Sequence, residues 1–213
     1  MISQPEQLPE TLPIFPLGGV LLLPGGCLPL HIFEPRYVAM IEDAMAGAKL
    51  VGMVQPDGGH MPCGTPTVHK VGCAGQITSC TPTDDGRYYI SLHGVARFAV
   101  EDELGALRGY RVVRPAWTKF VGDMQPCGLE HFERWRLMTA LRRYFRQHSL
   151  SCDWSAAESC PSDKLVTTLA MICPFSLPEK QALLESPNPY ERATLLLSLL
   201  ELNAVDTNPQ SMQ

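Results

Sequence analysis

No stretch of this sequence stays apolar for the roughly 18 residues that a bilayer span requires, and the best candidate, Val20 to Ile32, is interrupted by Pro24, Gly25, Gly26 and Pro29. A membrane-spanning protein is not expected. No basic residue precedes Arg36, so the amino end lacks the positive region of a secretory signal and a cytoplasmic location is expected. The eight cysteines, at 27, 63, 73, 80, 127, 152, 160 and 173, contain no close pair in a chain of 213 residues, long enough to bury a core without cross-links. Free thiols are expected rather than a disulfide framework. A Gly-x4-Gly-Lys-Ser/Thr stretch is also missing, and with it the backbone cradle for nucleotide phosphates. Positive charge is in deficit: the net charge is −5 and both halves are acidic, so any surface that tracks phosphates has to be local.

What is present is an ordinary globular composition, 45% hydrophobic and 18% charged, with 17 glycines and 19 prolines that favour turn-rich β structure. Leu12 to Leu17, Val20 to Leu23 and Leu28 to Phe33 have the length and apolarity of strands. Pro35 can open a helix, and Tyr37, Met40, Ile41, Ala44 and Met45 then recur on one helical face up to Gly47. Leu50 to Gln55 resumes as a strand, and the Pro- and Gly-rich segment Pro56 to Pro66 is expected to be an exposed loop. Further strands are expected over Thr67 to Cys80, Arg87 to His93, Val95 to Glu101 and Leu107 to Trp117, with Asp85-Gly86 as a hairpin turn and Gly94 as a separator. Seven to eight short strands without β-helix-β alternation point to a mostly antiparallel barrel or sandwich.

From about residue 126 the period becomes helical. Leu137, Met138, Leu141, Tyr144 and Phe145 share one face of Leu129 to His148, with Arg136, Arg142, Arg143 and Arg146 opposite. Ser162 starts a helix with Leu165, Val166, Leu169, Ile172 and Cys173 on its apolar face, stopped by Pro174. Pro178 starts a short helix ended by Pro187, and Asn188 with Glu191 forms a capping-box pattern before the leucines of Ala193 to Leu202.

Leu12-Pro13-Ile14-Phe15-Pro16-Leu17, then Leu23-Pro24-Gly25, then Leu28 to Ile32 and Phe33-Glu34-Pro35-Arg36-Tyr37 closely resemble the opening of the Lon protease amino-terminal, or Lon substrate-binding, domain family. Gly52-Met53-Val54, Val71-Gly72-Cys73-Ala74, Asp85-Gly86-Arg87-Tyr88 and Gly94-Val95-Ala96-Arg97-Phe98 follow in order, then Leu177 to Gln181, Leu183 to Glu185 and Glu191-Arg192. The resemblance covers about residues 12 to 203. It implies an α+β fold: a PUA-like antiparallel β pseudo-barrel followed by a C-terminal helical bundle. The residue pattern puts the barrel and one short helix in 1–122 and the bundle in 123–205, and the polar end 206–213 is expected to be a disordered tail. Cys73 stands where a small or β-branched residue is expected.

Four places hold residue types that could carry chemistry. In Phe33-Glu34-Pro35-Arg36-Tyr37 no nucleophile or partner base accompanies Glu34, so a structural role is expected: Glu34 caps the helix, Arg36 neutralises a partly buried carboxylate and Tyr37 enters the core. Ser176 and Lys180 lie four apart, but Ser176 precedes Pro178 and falls outside that helix; Lys180 is expected to be a solvated surface charge. Cys63, His69, Cys73 and Cys80, with His60 and His31 no better spaced, do not make a zinc knuckle, since His69 and Cys73 on one strand stand about 13 Å apart. No metal or cofactor is expected. The arginine face, Arg134, Arg136, Arg142, Arg143 and Arg146 beside Trp135, suits an acidic partner or RNA, but is more simply a solvated face pairing with Glu130 and Glu133.

The expected function is non-enzymatic binding of unfolded polypeptide or a protein partner, which the family resemblance implies, with a separate ATP-dependent protease as an associate. A strand edge or a groove would supply the contacts. Candidate partner-binding residues are Trp117, Phe120, Arg136, Arg142, Arg143 and Arg146. Pro24, Gly25, Phe33, Glu34, Pro35, Arg36 and Tyr37 are motif positions with mainly structural roles. RNA binding through the basic helix 134–146 is the alternative, nucleic acid being the less expected partner. The oligomeric state is left open.

Overall fold

A computed structural model describes residues 8–61, 65–125, 128–129 and 131–204. Cys63, Glu130 and the tail 206–213 lie outside the described residues. The chain divides into two compact units: one holds the described residues up to 125 together with Met171–Glu185, the other those from 128 to Ala170 and from Ser186 on.

Eight strands build the first unit: β1 (Leu12–Pro16), β2 (Cys27–Ile32), β3 (Leu50–Val54), β4 (Pro56–His60), β5 (Pro66–Val68), β6 (Val71–Pro82), β7 (Tyr88–Leu107) and β8 (Tyr110–Ala116). Six of them form one sheet in the order β2-β7-β6-β3-β1-β8, and a further pairing of β7 with β8 closes five of these strands on themselves while β2 lies outside on β7. Closure depends on the length of β7. Its first part pairs with β2, from Ile32↔Tyr88 to Cys27↔His93, and its last part with β8, from Ala99↔Ala116 to Leu107↔Tyr110. Gly94 therefore does not separate two strands; β7 runs through it as one strand of 20 residues.

Antiparallel pairing has one exception, since β1 runs parallel to β3 with Ile14 opposite Gly52. The fold is α+β, as expected, but its sheet is mixed. Helix α1 (Pro35–Ala46), whose first turn is opened by Pro35 and which buries Tyr37, Met40, Ile41 and Ala44, supplies the length that a parallel connection requires. Leu12, Ile14, Leu50, Val54, Ala74, Phe98, Val100 and Val113 form the barrel core. Two glycines let the sheet close over Phe98. A Cβ at Gly52 or Gly72 would meet its ring at 2.7 Å.

Two further sequence expectations change and one holds. Val20–Leu23 is not a strand, because Leu21, Leu22 and Leu23 are all buried without a partner ladder and lead into a turn. The Pro56–Pro66 loop contains β4, which pairs with β5 from Pro56↔Val68 to His60↔Pro66 around residues 62–64, outside the described set. The hairpin at Asp85-Gly86 forms as read, with Gly86 at φ +76° and Thr83 N–H donating to the Arg87 carbonyl at 2.9 Å.

In the second unit lie α2 (Arg134–Gln147), α3 (Trp154–Ser159), most of α4 (Ser162–Ile172) and α6 (Pro189–Asn203). Helix α2 starts five residues later than the sequence period suggests and buries Leu137, Leu141, Tyr144 and Phe145. It packs against α6. Helix α3 was not anticipated; Asp153 caps it by accepting from Ala156 N–H at 3.0 Å. The cap at α6 is as read, with the Asn188 side chain accepting from Glu191 N–H at 2.9 Å. At the end of α4, Ile172 is exposed rather than on the apolar face.

Helix α5 (Leu177–Glu185) belongs to the β unit, although sequence order places it in the helical part. Its polar side chains explain why. Gln181 accepts from Gln55 Nε2 at 3.0 Å and donates to the Val71 carbonyl at 3.2 Å. Lys180, expected to be solvated, is buried, and its Nζ donates to the Gly19 carbonyl at 2.6 Å. Burial lowers its pKa below the ordinary 10.5, offset in part by the Cys173 thiol. Between the lowered folded value and 10.5 the unfolded chain binds more protons, so this amine makes stability rise with pH across that window. Lys180→Met is expected to change stability at neutral pH by about 1 kcal/mol or less and to flatten the rise. Urea unfolding at pH 8 and at pH 10, compared between the two proteins, checks this.

Candidate functional site

The motif Leu23-Pro24-Gly25 is a type II turn. Gly26 N–H donates to the Leu23 carbonyl at 2.9 Å, and Gly25 holds φ +77°, the left-handed position such a turn requires. The turn docks on β7 at Gly94, which accepts from Gly25 N–H and donates to the Gly26 carbonyl, both at 2.9 Å. Two motifs of the resemblance, about 70 positions apart in sequence, are thus one contact.

From this anchor β2 follows as the outer strand of the sheet. Its exposure alternates: Cys27, Pro29 and His31 are exposed, Leu28 and Leu30 are half-buried and Ile32 is buried. Pro29 lies in the middle of the strand and has no N–H to offer. Gly94 directs its backbone groups towards β2, so Leu92, Ile90 and Tyr88, each two residues on, bond their partners Leu28, Leu30 and Ile32. Pro29 therefore faces away from β7 and blunts the free edge against strand addition. The free edge of β2 thus lacks one backbone donor, at Pro29, for a ladder with an added strand.

Side chains offer more. Phe33 is 57% and Tyr89 56% exposed, and both rings meet His31, stacked on Tyr89 at 4.6 Å and tilted against Phe33 at 5.7 Å. Three exposed rings thus form a row across β2 and β7. Two shallow depressions of about 350 Å³ each flank it, one bounded by Phe33, Val38 and Ala39, the other by Pro29, His31 and Tyr89. Sequence reasoning assigned Phe33 a mainly structural role. The clue available was its period with His31, two positions apart on the face opposite Ile32.

The rest of the Phe-Glu-Pro-Arg-Tyr motif behaves structurally, with one difference. Glu34 occupies the cap position of α1 but its side chain makes no capping bond; it accepts from Arg36 Nε at 2.9 Å instead. The pair is about half exposed, so no buried carboxylate is neutralised there. Tyr37 enters the core as expected, 4.1 Å from the Phe15 ring, with the Arg36 guanidinium 4.5 Å above its own.

Trp117 and Phe120, the candidate docking aromatics, are engaged inside the first unit. Trp117 packs edge-on to Phe98 at 5.7 Å and donates its Nε1–H to the Pro9 carbonyl at 3.0 Å. Phe120 lies 4.6 Å under the Arg97 guanidinium. Arg97 is the electrostatic hub that sequence reasoning did not single out. It grips Asp123 through Nε at 2.8 Å and Nη2 at 2.7 Å, and donates from Nη1 to the Leu184 carbonyl at 3.0 Å. Both members of the pair are buried.

Much of the arginine face of α2 is committed within the second unit. Arg136 binds Glu201 at 2.8 Å and approaches Glu133 at 3.8 Å. Arg142 pairs with Glu158 and covers the Trp154 ring at 5.2 Å. Arg134 donates to Ser162 Oγ at 3.0 Å and to the Ala157 carbonyl at 2.8 Å. Arg143 and Arg146 are exposed.

Ser176 and Lys180 do not act as a pair. The Ser176 hydroxyl donates to Glu179 Oε2 at 2.7 Å, while Lys180 reaches Gly19. Cys73 is buried, its thiol 3.7 Å from the Ala74 carbonyl. Among the described residues no three His, Cys, Asp or Glu side chains come together as a metal site, and no helix is long and apolar enough to cross a membrane.

The β unit is thus a closed sheet that carries an exposed aromatic row, and the helical unit is a second compact body. Residues 11–201 match the family described as the ATP-dependent protease La (LON) substrate-binding domain, and the chain belongs to that family. It is 32% identical over 98 residues to the Lon protease of Flavobacterium johnsoniae, covering 46% of this chain and 12% of that protein. Against Lon protease 2 of Myxococcus xanthus it is 30% identical over 96 residues, covering 45% and 12%. The match thus spans about an eighth of these relatives' length. A Lon N-terminal domain protein from Xanthomonas campestris superposes with a TM-score of 0.59 at 24% identity, covering 88% of this chain and 97% of that one. The N-terminal domain of a Mycobacterium avium complex Lon protease superposes with a TM-score of 0.64 at 13% identity, covering 89% and 97%. Both share the fold.

Proposed function

We propose that this protein is a non-enzymatic, cytoplasmic polypeptide-binding module that grips apolar side chains of unfolded clients or a protein partner on the Phe33–His31–Tyr89 row, and hands clients to a separate ATP-dependent protease as an adaptor. The carrying observation is that row: large rings left in water beside two depressions mark an interaction surface. Membership of a substrate-binding domain family supports the same reading. Because Pro29 blunts the edge, recognition runs through side chains and tolerates varied sequences.

Phe33→Ser and Tyr89→Ser are expected each to weaken binding of a permanently unfolded, alkylated polypeptide by about tenfold, roughly 1.4 kcal/mol, with little change in thermal stability because both rings are exposed. Fluorescence anisotropy with the labelled polypeptide measures this; unchanged affinity in both variants rejects the row as the site. RNA binding through α2 has weaker support, since Arg134, Arg136 and Arg142 already hold partners. A salt titration separates the two readings: apolar docking changes little, whereas phosphate contacts weaken steeply with salt.

A further inference from the structure

A second cavity in the first unit, about 110 Å³, has no part in the polypeptide reading. It lies where the end of β1 (Pro16), the first turn of α1 (Arg36 and Tyr37), the start of β5 (Pro66) and β8 (Tyr110 and Arg111) converge. Proline and tyrosine surfaces make its walls apolar. Its charged lining is two guanidiniums, and no carboxylate lines it. The acids that pair with these arginines, Glu34 and Glu103, are not among its lining residues, so the pocket faces the cationic side of both pairs.

Apart from the Thr65 hydroxyl, which both donates and accepts, the polar side chains of the lining are guanidiniums and phenols. Arg36 commits Nε and Nη2 to Glu34, and its Nη1 carries two further hydrogens. Arg111 commits Nε and Nη2 to Glu103 and one Nη1–H to the Pro66 carbonyl, and each Nη carries a second hydrogen. The Tyr110 hydroxyl is already donated to Asp43 at 2.8 Å. Tyr37 is 6% exposed and lines the cavity together with both arginines. Burial raises the phenol's pKa, so it stays a donor across the ordinary pH range.

Two guanidiniums with N–H groups to spare, a buried phenol and apolar walls, with no carboxylate in the lining, suit an acceptor-only anion on a hydrocarbon stem. We propose that this cavity binds a carboxylate on a short apolar stem, its oxygens taken by the Tyr37 hydroxyl and the Arg36 and Arg111 N–H groups, and its stem against Pro16, Pro66 and the Tyr110 ring. Two sources share that chemistry: a free short-chain acid and the C-terminal residue of a polypeptide.

Titrating the isotope-labelled protein with butyrate, butyramide and butylammonium, and following amide shifts by NMR, tests the site. Butyrate is expected to give saturable shifts in α1 and β8 with an affinity of order 1 mM, and the uncharged and cationic analogues none. Tyr37→Phe keeps the ring on Phe15 and removes only the hydroxyl. It is expected to weaken butyrate by about fivefold at unchanged thermal stability. Short peptides with free and amidated C-termini identify the source. Preference for the free end supports chain-end recognition, and butyrate binding without peptide binding supports a soluble acid. Equal binding of butyramide, no saturable shift with butyrate, or no effect of Tyr37→Phe overturns the proposal. Phe33→Ser and Tyr89→Ser are expected to leave butyrate binding intact, so the fate of this site is separable from that of the aromatic row.

Discussion

Asp123→Ala is expected to cost the β unit about 3–5 kcal/mol, a large share of the stability of a domain this size. Asp123 pairs with Arg97, and both its oxygens are used, one on Nη2 and the other on Nε and the Arg97 backbone N–H. Removing it strands a guanidinium whose side chain is 3% exposed. Arginine cannot escape by deprotonation, so its charge stays buried with the Asp123 carboxylate gone. The damage extends further than one pair, because Arg97 also joins β7 to the end of α5 at Leu184 and covers Phe120.

Replacing both partners is expected to be far milder. Arg97→Met with Asp123→Leu removes the buried charges together and should recover much of the loss. Arg97→Lys should behave like a disruptive change, since an ammonium cannot span two carboxylate oxygens and the Leu184 carbonyl at once. Urea unfolding followed by circular dichroism checks all three. A single Asp123→Ala variant as stable as the parent protein would sink this account of the hub.

Gly94→Ala is expected to be equally severe, about 3–5 kcal/mol, for a steric reason. A Cβ at this position would lie 2.0 Å from the Leu23 carbonyl oxygen and 2.7 Å from its carbon. Both are backbone atoms of the turn that carries Pro24 and Gly25, so no side-chain rotation relieves the overlap. The turn must lift, and with it go the two 2.9 Å hydrogen bonds between Gly94 and residues 25 and 26. Since that turn leads directly into β2, the aromatic row should lose its geometry and unfolded-polypeptide binding should fall with stability. Gly122→Ala supplies the control: no heavy atom lies within 4 Å of its Cβ and its φ is not in the left-handed region. It should be neutral within about 0.5 kcal/mol. Thermal unfolding of the two variants side by side decides the matter, and similar melting points would contradict the steric argument.

Acid and base titration add a smaller check in the same unit. The Asp43 carboxyl is held below its usual range chiefly by the Tyr110 hydroxyl, and the Tyr110 phenol is pushed up to about 12 by burial and by Asp43. Stability from this carboxylate is present above its unfolded value and lost as pH falls through the lowered one.

The sequence alone determined whatever is decided within about four residues: the Pro24-Gly25 turn, the Asp85-Gly86 hairpin, the Pro35 helix start, the Asn188 cap and the apolar stripe of α2. Such features are legible because one residue's φ, missing N–H or side-chain oxygen settles them locally. Tertiary structure alone decided that β7 would run unbroken through Gly94, that β1 would lie parallel to β3, and that Lys180, 161 positions from Gly19, would be buried against its carbonyl. It also decided which aromatics reach water. Trp117 and Phe120 are drawn inward by Phe98 and Arg97, while Phe33 and Tyr89 are left outside beside His31. Nothing local marks one ring as inner and another as outer, because exposure depends on what distant strands bring against each face.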